Sequence, residues 1–261
     1  MLRRFALSIV VLAACAATTS MSAVAHAEYR PIMALTPAHG PVPPMKNAAI
    51  IEMTEGGFRY IAGQQNSHLT MSMAEGKLRF VDTGTRELRD IPQNCSRKSV
   101  GNGIAALCSI PTKFEDGRMY LEVWPRLGND FIDGSALPAQ FRLWALADAG
   151  DDTVLGGNGD DFMNGAQDDD KVWGGAGNDW LRTGLGNDEL RGGAGDDKLV
   201  GVYDDDVIRG GDGNDRVGGG PGNDVLRADG GQDQVLCGNG RDSAYIDKSD
   251  RTSQCESLAR Y

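Results

Sequence analysis

Two hydrophobic rhythms divide the chain. From Ala48 to Trp124 apolar and polar residues alternate over short runs: Phe58 and Tyr60 flank Arg59, Leu69, Met71 and Met73 interleave with Thr70 and Ser72, and Leu78 and Phe80 flank Arg79. A period of two sends one side of a strand into a core and the other into water, so these runs are expected to be half-buried strands. Glu55-Gly56-Gly57 and Glu75-Gly76 read as their hairpin turns, and Met119, Leu121 and Val123 supply one more one-sided strand. A small antiparallel β domain is therefore expected over 47–124.

The second rhythm has a period of nine and runs eleven times from Ala147 to Tyr245 without an insertion or deletion. Its eighth position is aliphatic: Val154, Met163, Val172, Leu181, Leu190, Leu199, Ile208, Val217, Leu226 and Val235, shrinking only to Ala244. Its sixth position is always Asp: Asp152, Asp161, Asp170, Asp179, Asp188, Asp197, Asp206, Asp215, Asp224, Asp233 and Asp242. Positions seven to nine should form a short strand whose middle side chain points inside. Eleven coincident Asp and apolar positions exclude a chance run of ordinary turns.

The margins of this block carry weaker forms of it. Gly128-Asn129-Asp130-Phe131-Ile132 has the Gly, Asp and aliphatic positions of one repeat, but Asp130 lies 22 residues before Asp152 and is four out of phase. Residues 125–146 are therefore read as a degenerate repeat and junction, with an insertion around Leu137-Pro138, through which the β domain caps the stack. Residues 246–261 are read as a C-terminal cap.

Charge follows the same division. Of 36 Gly, 25 lie between Ala147 and Tyr245, together with 21 Asp and one Glu against eight Lys plus Arg, a local balance of −14. The whole chain carries −11, so the remainder is net positive and the acidity is a strip. Such a strip argues against nucleic acid and for cations as partners.

The first 46 residues read as targeting and tether. Met1-Leu2-Arg3-Arg4, the apolar run Phe5–Ala17 and Ala25-His26-Ala27 before Glu28 resemble an export signal over 1–27, too short to be a transmembrane helix. Leu12-Ala13-Ala14-Cys15 offers the alternative of a lipid-anchored N-terminus at Cys15. Residues 28–46, with five Pro and no periodicity, form a Pro-rich leader. Either maturation route removes Cys15 from the count, leaving Cys95, Cys108, Cys237 and Cys255, an even set that in an exported chain favours disulfides. Of three connectivities, Cys95–Cys108 and Cys237–Cys255 are chosen because each closes a loop of about 15 residues, worth roughly 3 kcal/mol in the chain-entropy picture.

Gly-Gly-x-Gly-x-Asp-x-aliphatic-x is the pattern of the hemolysin-type, or RTX, calcium-binding nonapeptide, and residues 147–245 resemble that family. The resemblance implies a parallel β-roll in which each nonapeptide makes half a turn, so that residues 18 apart stack at about 4.8 Å. It implies several Ca2+ ions held by the eleven Asp carboxylates and by loop backbone at Gly157, Gly159, Gly175, Gly177, Gly193, Gly195, Gly211, Gly213, Gly220 and Gly222. The chemistry agrees, since glycine permits a tight loop that turns carbonyls inward, and a hard carboxylate oxygen completes a calcium-like donor set. Stacked carboxylates repel unless a divalent cation lies between them, so the roll is expected to fold with calcium.

A half-turn repeat sorts the Asp residues into two loop columns. Asp161, Asp179, Asp197, Asp215 and Asp233 follow loops that keep their glycines until Ala228-Asp229. Asp152, Asp170, Asp188, Asp206, Asp224 and Asp242 follow loops worn to Ala147-Asp148, Gly165-Ala166, Thr183-Gly184 and Gly201-Val202, with Asp168 and Asp204 where a turn glycine belongs. Tighter sites are expected along the kept column.

Members of this family include proteases, lipases and pore-forming toxins, but the chain has neither His-Glu-x-x-His nor Gly-x-Ser-x-Gly, and beyond the signal only His39 and His68 remain. No catalytic residue is assigned and no enzyme is expected. An N-terminal signal and disulfides also depart from the usual pattern of the family and bring the chain nearer to short exported calcium-binding proteins. The expected function is that of an extracellular calcium-binding structural or interaction module. The alternative is a calcium-dependent adhesin or a binder of cell-surface glycan, cell-wall polymer or another protein, on a row of Arg191, Arg209 and Arg227 flanked by Trp173 and Tyr245. Phe162 and Trp180 form an aromatic step on the opposite face. An accessory module of a secreted hydrolase or toxin is a third reading.

Overall fold

The computed structural model describes residues 47–63, 66–114 and 118–260; the expected signal, the Pro-rich leader and Cys15 lie outside them. Strand dominates, and a single turn of 3-10 helix at Thr112–Phe114 is the only helix among the described residues. None of their helices is long and apolar enough to cross a membrane.

Each nonapeptide makes half a turn, so alternate repeats feed alternate sheets. The first sheet runs Arg251–Ser253, Gln234–Asn239, Arg216–Pro221, Lys198–Val200, Trp180–Arg182, Phe162–Asn164, Phe141–Ala149, Met119–Leu127, Gly57–Ile61, Ala48–Met53 and Glu87–Asp90. The second runs Ser257–Arg260, Ser243–Ile246, Val225–Gly230, Val207–Asp212, Glu189–Ala194, Lys171–Ala176, Thr153–Leu155, Phe131–Ala136, His68–Ala74, Lys77–Asp82, Ile104–Cys108 and Cys95–Lys98. Within the repeats every neighbouring pair is parallel with a register of 18, as Leu190↔Ile208 and Leu181↔Leu199 illustrate.

The position-eight side chains form two facing inner rows. Val154, Val172, Leu190, Ile208, Leu226 and Ala244 line one sheet and Met163, Leu181, Leu199, Val217 and Val235 the other, all at most 2% exposed. Both rows run upstream without a gap, through Ile132 and Leu69 in the second sheet and Ala145, Val123, Tyr60 and Ile51 in the first. One core therefore serves the whole described chain.

The antiparallel pairing expected over 47–124 is present. Met53 pairs with Phe58 and Ala74 with Lys77 across the two anticipated turns, and Lys77–Asp82, Ile104–Cys108 and Cys95–Lys98 add a further antiparallel ladder. Gly57–Ile61, His68–Ala74, Met119–Leu127 and Phe131–Ala136 nevertheless stack in parallel on the strands that follow. Neither sheet breaks near Trp124, and the antiparallel strands form an outer margin on the roll's first turns.

The tail continues both sheets beyond the last repeat. Arg251–Ser253 and Ser257–Arg260 pair in parallel with Gln234–Asn239 and Ser243–Ile246, adding one further strand to each sheet. The disulfides join the expected partners: Cys95–Cys108, which face each other across an antiparallel pair, and Cys237–Cys255.

Candidate metal centre

The loops that join the two sheets stack into two columns, and hydrogen bonds fix each carboxylate. In the first nine repeats the Asp N–H donates to Oδ1 of the Asp 18 residues on, as from Asp161 to Asp179 (2.7 Å), Asp179 to Asp197 (2.8 Å) and Asp197 to Asp215 (2.9 Å). The worn column repeats this from Asp152 to Asp170 (3.0 Å), Asp170 to Asp188 (2.8 Å) and on to Asp242. Each Asp carbonyl then accepts the first N–H of the next same-sheet strand, as from Lys198 to Asp179 at 2.8 Å. The sixth position is thus a hinge tied at both ends.

This geometry occupies one carboxylate oxygen and leaves the other. Oδ2 is buried without a hydrogen-bond donor in Asp152, Asp170, Asp179, Asp188, Asp197, Asp206, Asp215, Asp224, Asp233 and Asp242. A buried charged acceptor with no donor is strongly unfavourable unless a cation or proton meets it. Asp161 differs, because its Oδ2 accepts the Gly157 N–H at 2.8 Å.

Space beside Oδ2 is kept open by the glycine at position one. A Cβ built on Gly174 would meet Asp179 Oδ2 at 2.2 Å and the Gly192 carbonyl at 2.6 Å; on Gly192 it would meet Asp197 Oδ2 and the Gly210 carbonyl, and on Gly210 Asp215 Oδ2 and the Ala228 carbonyl. A carboxylate oxygen and a carbonyl oxygen from the next loop therefore converge on one small hollow, the oxygen-only donor set that suits calcium. Among the described residues no three acidic, His or Cys side chains gather as a metal cluster, so the remaining ligands would be backbone carbonyls. The residues present fit a hard divalent cation.

The worn column keeps this hollow at Gly219, where Asp224 Oδ2 and the Cys237 carbonyl converge, but not at its two most altered loops. In the worn loops at Gly165 and Gly201 the three atoms nearest such a Cβ all belong to the loop's own Asp, with Oδ2 at 2.1 and 1.9 Å and no neighbouring carbonyl among them. The same loops hold Ala166 at φ 93°, Val202 at φ 117°, and Asp168 and Asp204 at φ 70°, conformations that favour glycine. Of the expected backbone glycines, Gly175, Gly177, Gly193, Gly195, Gly211, Gly213 and Gly220 have positive φ. Gly157, Gly159 and Gly222 fall outside that region. Gly157 and Gly159 belong to the first loop of their column, which meets the turn around Leu137–Phe141 on its upstream side and the loop at Gly175–Gly177 on the other.

Burial pushes these carboxyls well above their ordinary range. Asp170, Asp179 and Asp206 rise to about 8, Asp152, Asp161 and Asp197 to about 7, and Asp215, Asp224 and Asp233 to about 6, while Asp188 is also raised. Loss of water is the main cause in each, and the incoming N–H bond opposes it. A bound cation would reverse the effect by favouring the ionised form.

A second ladder went unread in the sequence. The residue before each Asp is Asp or Asn in nine repeats, and its Oδ1 accepts the N–H of its counterpart 18 residues later, as from Asn178 to Asp160 (3.1 Å), Asp196 to Asn178 (2.7 Å) and Asn214 to Asp196 (2.8 Å). It runs opposite to the Asp ladder, so both loop N–H groups are satisfied. From Asp160 to Asn214 and from Asp169 to Asn223 Asp alternates with Asn, which keeps like charges from stacking; its signal was the Asp/Asn restriction at position five. Two tail residues were also missed: Asp250 Oδ1 accepts from Asp233 (3.1 Å) and Glu256 Oε2 from Asp242 (3.0 Å), ending the columns. Their spacings of 17 and 14 fall outside the period of 18.

The outer sheet faces carry a second candidate surface. Trp173, Arg191, Arg209, Arg227 and Tyr245 lie in one row on the second sheet. Arg191 stacks over Trp173 (4.7 Å) and pairs with Glu189, Arg209 pairs with Asp229, and Arg227 lies over Tyr245 (4.5 Å). On the first sheet the Phe162–Trp180 step extends through Trp144 to Tyr120, with ring centroids 5.0 to 6.1 Å apart.

Comparison with known proteins adds one match. The family model of the RTX calcium-binding nonapeptide repeat (4 copies) fits residues 144–172, 173–202, 191–226, 200–235 and 209–244. No curated protein and no solved structure matches the chain.

Proposed function

Residues 144–244 are RTX calcium-binding nonapeptide repeats, and from that premise we propose that the protein is an extracellular calcium-binding roll whose loops order around several Ca2+ ions and which serves as a structural or interaction module. The observation that carries this reading is the row of buried, donor-less Oδ2 atoms at ten of the eleven repeat Asp residues. The Asp oxygens and loop carbonyls bind and orient the ion, and the ion supplies the charge that lets the loops stack. RTX repeat proteins are typically exported bacterial proteins, which suits the expected signal at 1–27. A chain that is loose where calcium is scarce would pass an export channel and fold outside.

Circular dichroism of residues 28–261 in chelator and then in millimolar calcium tests this. Strand signal that appears only with calcium is expected; an identical spectrum and identical protease resistance in both would overturn it.

The row of Arg191, Arg209 and Arg227 supports a second reading, adhesion to an anionic cell-wall polymer or glycan. Side chains of Arg191 and Arg209 are about half exposed, at 47% and 49%, which leaves the row open to a polyanion. Retention of R191A, R209A and R227A variants on cell-wall polymer separates the two, since unchanged retention removes the adhesin.

A further inference from the structure

A twelfth loop precedes the matched repeats. Residues 125–133 follow the nonapeptide frame when numbered from the structure, with Pro125 in place of the glycine at position one: Arg126 at position two has φ 78°, Gly128 at position four has φ 120°, and Asn129 and Asp130 stand at positions five and six. Most bonds of a repeat loop are there. Gly128 N–H donates to the Ala149 carbonyl (3.0 Å), as Gly177 does to Ala194 (2.9 Å), and Asn129 Nδ2 reaches Asp151 (3.2 Å). Asp130 N–H donates to Asp152 Oδ1 (2.7 Å), and the Asp130 carbonyl accepts from Thr153 (2.8 Å).

The carboxylate of this loop is also left incomplete. Asp130 is 3% exposed; its Oδ1 accepts the Ser67 N–H, while its Oδ2 is buried with no donor. One turn further upstream the situation changes, because Asp82 takes the Tyr60 and Thr85 hydroxyls, the Ser67 hydroxyl and the N–H groups of His68, Gly84 and Thr85. Asp82 is saturated by protein donors and needs no cation. The other column starts later: the frame position of Asp130 is filled there by Leu143, whose N–H donates to Asp161 Oδ1, and Gly157 occupies Oδ2. Arg142 neutralises Asp160 at 2.7 Å in that first loop.

We propose that Asp130, between the stacked loops 125–130 and 147–152, holds an additional calcium ion outside the family repeats, so that the ion column on this side begins one loop before them. The inference rests on the calcium reading above. Asp130 Oδ2 supplies the charge, and carbonyls of the two stacked loops are the other oxygens at hand.

Calcium bound per chain, counted by equilibrium dialysis with elemental analysis, is compared for the unaltered protein and D130N, which keeps an acceptor for Ser67. One ion fewer in D130N is expected, and an equal count would overturn the proposal. If D130N does not fold, crystals of the unaltered chain grown in calcium decide. An ion at the Asp130 Oδ2 is expected, and its absence while downstream loops are filled would overturn the proposal. An unaltered protein that binds no calcium at all would instead overturn the function proposed above.

Discussion

The kept and worn loop columns share one ladder of hydrogen bonds and differ in what their backbones must tolerate. On the kept side, Gly175, Gly193 and Gly211 take positive φ at no steric cost. On the worn side Ala166 and Val202 hold nearly the same angles, at about 1–3 kcal/mol each. The stack therefore imposes a loop conformation on whatever residue it meets, because each loop is bonded to those above and below it. Where the sequence complies, as it does at Gly219 even in the worn column, a carboxylate and a neighbouring carbonyl share the hollow; at Gly165 and Gly201 only the loop's own Asp stands there. What the columns share is fold, and what separates them is the quality of the oxygen cage.

The largest effect should fall on both columns together and tests what they share. Without a cation the carboxyls are raised in the folded roll to between about 6 and 8, against about 3.9 in an unfolded chain. A raised folded-state value means stability that is full below about pH 4 and is lost as pH rises through 6 to 8. In chelator, strand content should be high near pH 5 and collapse by pH 8, while with calcium it should stay flat. A calcium-free chain whose circular dichroism does not change between pH 5 and 8 would show that the columns are not held by their buried carboxylates.

Next in size is a substitution that gives the kept column a defect worse than any in the worn one. Gly195 has φ 131°, and a Cβ there would stand 1.9 Å from the Gly177 carbonyl. G195A should cost about 3 kcal/mol, from the strained angle and the backbone shift together, and raise the calcium needed for half-maximal folding. Asp204, at the same loop position on the worn side, is already accommodated at φ 70°, so D204A should change the midpoint less. Equal midpoints for the two variants would erase the distinction between columns.

A smaller effect separates the columns at their ligands. Asn in place of Asp keeps an acceptor for the ladder N–H and removes the charge, so D179N and D188N isolate the contribution of each site to calcium. D179N, beside the hollow shared with the Gly192 carbonyl, should lose more affinity by titration calorimetry than D188N. The reverse order would sink the kept-column assignment. D161N should lose the least, since both Asp161 oxygens already accept N–H bonds.

Much of this was legible in the sequence because a period of nine fixes position within the roll. The inner rows, both disulfides and the two columns all follow from counting, and the row Trp173, Arg191, Arg209, Arg227 and Tyr245 lies in the register that counting gives. Strand direction did not follow, because alternation at Leu69-Thr70-Met71 reports which side is buried and not whether the neighbour runs parallel. Asp130 was recognised as a worn repeat, yet the four extra residues before Asp152, taken up by the turns at Gly134–Leu137 and Pro138–Phe141, hid its place on the ladder. The ladder before each Asp was invisible for another reason, since an exposed Asp or Asn looks like any solvated residue until its partner 18 positions away is beside it.

The smallest effect is an improvement, and it bears on why the worn column persists. Val202 is a half-buried, β-branched residue at φ 117°, an angle that brings Cβ nearly into eclipse with the preceding carbonyl carbon. Its N–H bonds to the Gly219 carbonyl at 2.9 Å, and its own carbonyl lies against Gly220, so the loop cannot relax without breaking the stack. V202G removes strain of about 1–3 kcal/mol and gives back about 1 kcal/mol in lost chain entropy and a little apolar burial. A net gain of about 1 kcal/mol remains, read as a lower calcium midpoint for folding. The same change at the kept column is already present as Gly211, so V202G should move Asp206 toward the behaviour of Asp215. If V202G left the midpoint unchanged, the backbone at that loop would not be strained, and the difference between the columns would lie in the hollow alone.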